Sequence, residues 1–267
     1  MEKAKVYFTD FRVHGGRNLL DKLERLLKRA GMTDMPLKGK FTAVKIHFGE
    51  PGNLAFLRHN YAKVVVDALK EMGAKPFLTD SNTLYPGMRR NALDHLDAAY
   101  QNGFSPLQVG CHVIIADGLL GTDFVSVPVD GVYCDHALLG RAAVDAEAII
   151  SLTHFKCHEL TGIGGALKNL GMGFGSTAGK REMHCDGKPV VDERKCVGCG
   201  MCIRECGSNA ITLVNKKAVI DHEKCSGCGR CVGACHLQAA IGGPNGSNDM
   251  VSCKISEYAK AVVQGKP

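Results

Sequence analysis

Two copies of one cysteine pattern, 29 residues apart, constrain this chain more than any other feature. The first is Cys196-x-x-Cys199-x-x-Cys202-x-x-x-Cys206, and the second is Cys225-x-x-Cys228-x-x-Cys231-x-x-x-Cys235. Three cysteines at steps of three wrap one corner of a cube, and the fourth reaches over to a neighbouring cube. Eight thiolates so spaced suit two cubane [4Fe–4S] clusters. Crossed ligation predicts Cys196, Cys199, Cys202 and Cys235 for the first cluster, and Cys225, Cys228, Cys231 and Cys206 for the second. The alternatives are zinc ribbons and a disulfide scaffold. Zinc modules usually separate their two pairs by a longer stretch, and disulfide frameworks rarely repeat so regularly.

The repeat extends beyond the cysteines. Lys195-Cys-Val-Gly198-Cys-Gly200 reads against Lys224-Cys-Ser-Gly227-Cys-Gly229, Asp192 against Asp221, and Ala210 against Ala239. Glycines between the cysteines let backbone N–H groups approach cluster sulfurs with no Cβ in the way. Residues 210–214 and 217–221 alternate as two short strands around a turn at Asn215-Lys216. The segment 188–243 therefore resembles a bacterial-type two-cluster ferredoxin. Such ferredoxins usually place proline after the fourth cysteine, whereas this chain has Gly207 and His236 there. His236 is a candidate hydrogen-bond donor near a cluster.

With 267 residues, the chain is long enough for a main domain and a small inserted or appended one. No run approaches the roughly 20 apolar residues of a membrane span, and the N-terminus leads straight into a strand-like run, so no signal peptide is expected. Thirteen cysteines, eight of them in the repeat, point to a reducing, anaerobic cytoplasm. The formal charge of +6 counts cysteines as neutral. Two clusters at roughly −2 each bring the holo-protein to about +2, which is no nucleic-acid footprint. Trp is absent and aromatics are 6%, which argues against stacking platforms for single strands.

Residues 1–187 alternate strand and helix patterns. Strands are expected at Val6–Phe11, Thr42–Phe48, Pro76–Asp80, His112–Asp117, Phe124–Val129 and Ala146–Thr153. Helices are expected at Arg17–Ala30, Tyr61–Met72 and Arg90–Asn102. The fold class is α/β, a mostly parallel sheet domain followed by or interrupted by the small α+β two-cluster domain, with a short helical segment at 244–267. Ligands of such sheets bind beyond the carboxyl ends of the strands. Polar clusters fall there: His47 to Asn53, Thr79 to Asn82, Asp117-Gly118, and Thr153 to Glu159.

The last cluster runs into the glycine-rich stretch Thr161–Gly175. A glycine-rich helix start offers free backbone N–H groups to an anion, and a helix starting near Thr161 would put Lys168 about two turns along. The following Phe174-Gly-Ser-Thr-Ala-Gly179-Lys180-Arg181 lacks the first glycine and the final Ser/Thr of a Walker A loop, and Gly171-Met-Gly-Phe-Gly, with no strand immediately before it, is no dinucleotide-binding fingerprint. Close packing is the competing reading of the glycines. Together these residues predict a cleft lined by Lys45, His47, Glu50, Asn53, His158, Lys168 and Asn169 that binds an anionic small molecule, with Glu50 paired to Lys45 as the structural alternative.

Three stretches carry a second resemblance: Lys45-Ile-His47-Phe-Gly49-Glu50-Pro-Gly-Asn53, Asp80 to Arg89, and His154-Phe-Lys-Cys-His158-Glu with Gly165-Ala-Leu-Lys168-Asn169-Leu-Gly171. They resemble the domain-of-unknown-function family 362, whose members are described as iron–sulfur centre proteins and often carry a two-cluster ferredoxin module. The resemblance implies a soluble electron-transfer role. It also implies strand–helix material beyond Gly265: a complete chain would lack that part, and a fragment of a longer one would explain the ending as well.

Smaller constellations remain. His154, Cys157 and His158, completed by His184-Cys185 or His47, are candidates for a third metal site if 154–158 is helical; a polar pocket is the plainer reading. Cys111, Cys134 and Cys253 read as buried small residues. His14, His59, His95 and His222 read as surface or helix histidines, and Asp80 and Asp117 as turn or ligand-bonding residues, with acid–base groups as the alternative. Two functions follow. One is single-electron transfer to or from a partner redox protein. The other is a ferredoxin-fused oxidoreductase whose α/β domain binds a small anionic substrate or an organic cofactor.

Overall fold

The computed structural model describes residues 4–158, 161–185, 189–241 and 248–267. The elements of the first part are α1 (Leu19–Arg29), β1 (Phe41–Lys45), α2 (His59–Glu71), β2 (Lys75–Asp80), α3 (Ala92–Gln101), α4 (Pro106–Val109), β3 (Val113–Ile115), β4 (Phe124–Pro128), β5 (His136–Gly140), α5 (Arg141–Asp145), β6 (Ala148–Ser151), β7 (Lys156–His158), β8 (Gly162–Gly164), α6 (Ala166–Phe174) and α7 (Thr177–Cys185). The cysteine-rich part holds β9 (Val190–Val191), α8 (Met201–Glu205), β10 (Ile211–Val214), β11 (Lys217–Ile220), α9 (Arg230–Ala234) and β12 (Ala240–Ile241), and α10 (Asn248–Val263) closes the chain.

The centre is a four-stranded parallel sheet in the order β3-β2-β1-β6. Alternation along its strands feeds two cores. Val44, Ile46 and Leu78 meet Val65 and Leu69 of α2 on one face, while Ala43 and Phe77 join Leu139, Phe174 and Tyr258 on the other. Burial of both faces is what an all-parallel sheet requires. α1 starts at Asn18, whose side chain accepts from the N–H groups of Leu20 and Asp21, while Asp21 accepts from the Asn18 N–H. That reciprocal cap satisfies helix-start donors that would otherwise be orphaned.

Several expectations are corrected. Val6–Phe11 forms no strand; Val6, Phe8 and Phe11 are exposed, and no described strand pairs with the segment. The expected Phe124–Val129 strand forms as β4, but it pairs antiparallel with β5 outside the central sheet. Residues 156–158 are a strand paired with β8, not a helical turn. The glycine-rich helix begins at Ala166, so Lys168 lies in its first turn. α10 is not a peripheral segment: Val251, Ile255, Tyr258 and Val262 enter the α/β core beside Met172 and Phe174. The cysteine-rich part therefore interrupts the α/β part. The boundaries expected at 187/188 and 243/244 lie outside the described residues.

The glycines of α6 divide between the two readings offered for them. A Cβ at Gly171 would lie 2.0 Å from the Ile255 carbonyl oxygen, so this residue permits α6 and α10 to touch. Gly164 and Gly165, by contrast, line an open cleft.

In the cysteine-rich part, β10 and β11 form a hairpin turned at Asn215 and Lys216, both at positive φ. Left-handed conformation at both central residues is the signature of a tight two-residue hairpin turn. β9 and β12 pair antiparallel, bringing the two ends of this part together.

Candidate functional site

A cleft of about 460 Å³ opens beyond the carboxyl ends of β1, β2 and β6. All seven residues expected there, Lys45, His47, Glu50, Asn53, His158, Lys168 and Asn169, line it. Lys156, Lys180, Arg89 and Arg230 line it too, against the two carboxylates Glu50 and Asp80, so its wall is rich in cations. Gly165 caps α6 without any side-chain hydrogen bond, and this helix start faces the cleft beside Lys168. Uncapped helix N–H groups with lysines alongside make a setting favourable to anions.

Beneath the cleft lies a buried charge network centred on Asp80, which is neither a turn residue nor an exposed acid. Lys45 Nζ sits 2.9 Å from Asp80 Oδ1 and donates to Asn169 Oδ1 at 2.9 Å. Arg89 bridges Asp80 at 3.2 Å and Glu50 at 2.5 Å, and the Tyr85 hydroxyl donates to the same Glu50 oxygen at 2.8 Å. Glu50 thus holds Arg89, and Lys45 pairs with Asp80; the expected Glu50–Lys45 pair does not form. Burial opposes ionisation of Asp80, but Lys45, His95 and Arg89 outweigh it and hold its carboxyl well below the usual range. Gly173 makes room for this network, because a Cβ there would lie 2.6 Å from Lys45 Nζ.

Asn169 acts as a brace. Its Nδ2 donates to Ser151 Oγ at 3.0 Å, Thr153 Oγ1 at 3.1 Å and the Leu152 carbonyl at 3.2 Å. These bonds tie α6 to the end of β6 and fix Lys45 between them.

Three imidazoles are kept neutral near neutral pH. His95, expected on a helix surface, is wholly buried, stacked edge-on to Phe48 and 3.8 Å from Asp80; burial lowers its pKa to about 3. His47 is open to the cleft but ringed by protein, and that desolvation, with Arg89 adding to it, lowers it to about 4. The Gly49 N–H donates to His47 Nδ1 at 2.9 Å, so the neutral ring carries its proton on Nε2. His184 falls to about 4 by burial, with Lys168 as the next cause. Burial also lowers Lys180 to about 8, against the pull of Asp117 and Asp80.

Crossed ligation, as expected from the sequence, would divide the cysteine repeat into two groups. Cys196, Cys199, Cys202 and Cys235 line one small cavity that contains no other cysteine. Cys231 sits among Cys228, Cys225, Cys202 and Cys206; burial first, then these thiols, push it up to about 12. Backbone N–H groups point at sulfur: Ala218 to Cys196 at 3.3 Å, Ala210 to Cys206 at 3.2 Å and Ala239 to Cys235 at 3.2 Å. The loop Cys228-Gly229-Arg230, with Gly233, forms part of the wall of the large cleft. Among the described residues, no group of three or more His, Cys, Asp or Glu side chains is gathered to hold a single metal ion. A third metal site at His154, Cys157 and His158 gains no support, since the stretch is not helical; Glu159 and the Cys185 side chain lie outside the described residues. Cys111 and Cys134 are buried as expected, whereas Cys253 is exposed because α10 turns Val251 and Ile255 inward instead.

Residues 42–267 match the family model described as Domain of unknown function (DUF362). The chain belongs to that family. Among solved structures, the lactate racemase apoprotein from Thermoanaerobacterium thermosaccharolyticum is similar over 82% of this chain, at 11% identity and a TM-score of 0.41. This chain corresponds to 47% of that protein's length, and a likeness so weak carries no argument. No curated protein matches. Among the described residues, no helix is long and apolar enough to cross a membrane.

In this DUF362 chain the cleft also takes in Tyr85, Arg89, Lys156, Lys180 and Arg230, to which the sequence attaches no role. Arg89 and Tyr85 sat in a recognisable motif with no role attached. Lys180 lies inside the Phe174–Arg181 segment that fails as a Walker A loop, and only the fold brings it to the cleft. The contact between the second cysteine loop and the cleft had no sequence signal, because it depends on where the inserted part docks.

Proposed function

We propose that this chain is an iron–sulfur electron-transfer protein that passes single electrons through two [4Fe–4S] clusters to or from a partner redox protein. The observation that carries this reading is the cysteine grouping: four cysteines around one cavity, three from the first motif and Cys235 from the second. A cubane gives each iron its own cysteine, so four thiols spread around a cavity suit it, where a single ion would want them gathered at a point. The buried Cys231 thiol, pushed up to about 12, is a poor thiolate by itself, and bound iron would supply the charge that deprotonates it. The N–H donors from Ala210, Ala218 and Ala239 suit charged sulfur. When bound, such clusters supply one-electron transfer at potentials set by burial and by hydrogen bonds to sulfur. The chain's own residues hold the sulfurs apart and direct N–H groups at them.

A second reading has its own support. The loop bearing Cys228 borders the cation-rich cleft, which favours an oxidoreductase that delivers electrons to a small anionic substrate or organic cofactor held there. Lys168, Lys156 and the start of α6 are then the anion-binding groups, while Asn169 and Asp80 position Lys45. One experiment addresses both readings. Protein purified without oxygen is analysed for iron, sulfide and non-protein organic molecules. About eight iron and eight sulfide per chain are expected, and a value near four removes the two-cluster reading. A retained anionic molecule favours the oxidoreductase; clusters alone favour the carrier.

A further inference from the structure

The two cysteine motifs are near-copies, yet their surroundings differ at three equivalent positions. Gly200 and Gly229 both start short helices at positive φ. A Cβ on Gly200 would meet nothing within 4 Å, whereas one on Gly229 would lie 3.0 Å from His184 Nδ1. After the fourth cysteines, a Cβ on Gly207 would lie 3.0 Å from the Pro86 ring, while His236 is exposed. Between the first two cysteines, the Ser226 carbonyl accepts from Arg181 Nε at 3.2 Å, while Val197 is 66% exposed. Cys206, Ser226 and Gly229 all belong to the second cysteine group, and Val197, Gly200 and His236 to the first. One pole of the inserted part is thus pressed against the α/β part and its cleft, and the other faces outward.

The outward pole has a definite chemistry. Val197 and Leu237 flank the cavity of the first group, both exposed, and Cys199 is exposed beside them. Arg194, Lys195 and Lys216 surround this tip and are exposed, with Lys217 half-buried next to them. The nearby acids are Asp192, paired with Arg194 at 3.3 Å, and the exposed Glu193, so cations outnumber them. An apolar tip over a redox centre, ringed by cations, is complementary to a protein whose own redox centre is ringed by carboxylates.

We propose that the first cysteine loop is the docking surface for an acidic one-electron carrier protein, and that the second group serves the cleft. The proposal rests on the two-cluster reading above. In each event the carrier is oxidised by one electron, and the centre held by Cys196, Cys199, Cys202 and Cys235 is reduced by one; no bond is made or broken. The electron then passes from the first group to the second, whose loop at Cys228 borders the cleft.

The test uses the iron-loaded full chain and reduced flavodoxin, an acidic flavin protein, as the probe carrier. Arg194→Glu/Lys216→Glu reverses two rim charges without touching a cysteine. Arg25→Glu/Arg29→Glu on α1 makes the same change in net charge far from the loop. At low salt, the rim variant is expected to accept electrons from flavodoxin at least about tenfold more slowly, with a flattened salt dependence. Calorimetry should show weaker binding of oxidised flavodoxin to the same variant. The α1 variant should match the parent, and reduction by photoexcited neutral deazaflavin should be equal in all three. Missing iron, or failure with deazaflavin, would sink the two-cluster reading instead. With iron and deazaflavin reduction intact, three results overturn the docking proposal: unchanged rates and binding in the rim variant, equal slowing in the α1 variant, or no transfer from flavodoxin to the parent.

Discussion

Gly200→Ala and Gly229→Ala form a matched pair because the repeat makes each the other's control. Both glycines sit at nearly the same left-handed conformation, φ 75° and φ 70°. Adding a Cβ there costs about 1–2 kcal/mol at either position, and this shared cost cancels in the comparison. What remains is the neighbourhood. At Gly200 the new methyl enters open space, but at Gly229 it arrives 3.0 Å from His184 Nδ1 and 3.4 Å from Cγ, two atoms of a planar ring. The ring cannot bend away, so it must shift bodily, as in an overpacked core, at an added cost of about 1–3 kcal/mol. Anaerobic urea unfolding of the iron-loaded protein, followed by far-ultraviolet dichroism, reads the difference. Gly200→Ala should lower the midpoint modestly and leave the cleft unchanged, and Gly229→Ala should lower it clearly further. Equal midpoints would mean that the second loop does not pack on His184, and the argument for its position beside the cleft would fail.

Other consequences follow from the charge network. Asp80→Asn strands Lys45 and Arg89, only 1% and 3% exposed, without their shared carboxylate. Breaking such a buried pair costs about 3–5 kcal/mol, and adding Lys45→Met should recover much of it; a urea-monitored loss under about 1 kcal/mol would show that the network is wet. His95 supplies a pH signature. Its folded pKa of about 3 lies below the ordinary 6.5, so between those values the unfolded chain binds a proton that the folded chain refuses. Stability should therefore fall as pH drops, by about 2 kcal/mol from pH 7 to pH 5 for this one ring, and His95→Gln should flatten the slope. Asp80 acts in a lower window with a depressed carboxylate: its contribution is complete above its unfolded value of 3.8 and is lost as pH falls below it.

Local periodicity made most of the central sheet legible. The alternation of Val44, Ile46 and Phe48, and the leucine stripe of α1, are short-range patterns set by one buried face each. The cleft residues were legible for a related reason: strand ends in a parallel sheet converge, so polar residues after β1 and β6 had to meet. Partner choice was not. Glu50 is near Lys45 in sequence, but Arg89, arriving on the loop after β2, takes it, and Lys45 reaches Asp80 across the ladder. β4 resembled a sheet strand because hairpin ladders and parallel ladders share the same alternation. The return of α10 into the core was invisible from sequence, because Gly171 signals a close approach without naming what approaches. Gly207 stands where bacterial-type two-cluster ferredoxins usually have proline, and Pro86, packed where a larger residue at 207 would go, supplies the physical reason.

Cysteine alkylation in Cys206→Ala tests the central claim most directly. Crossed ligation assigns Cys206 to the group of Cys225, Cys228 and Cys231, 19 or more residues downstream (225 − 206 = 19), rather than to its own motif. Iron-loaded protein, kept anaerobic, is treated with a thiol-alkylating reagent and mapped by mass spectrometry. In the variant, Cys225, Cys228 and Cys231 should become reactive, while Cys196, Cys199, Cys202 and Cys235 stay protected as in the parent. Reactivity appearing instead at Cys196, Cys199 and Cys202, with the downstream three still protected, would contradict the crossed arrangement.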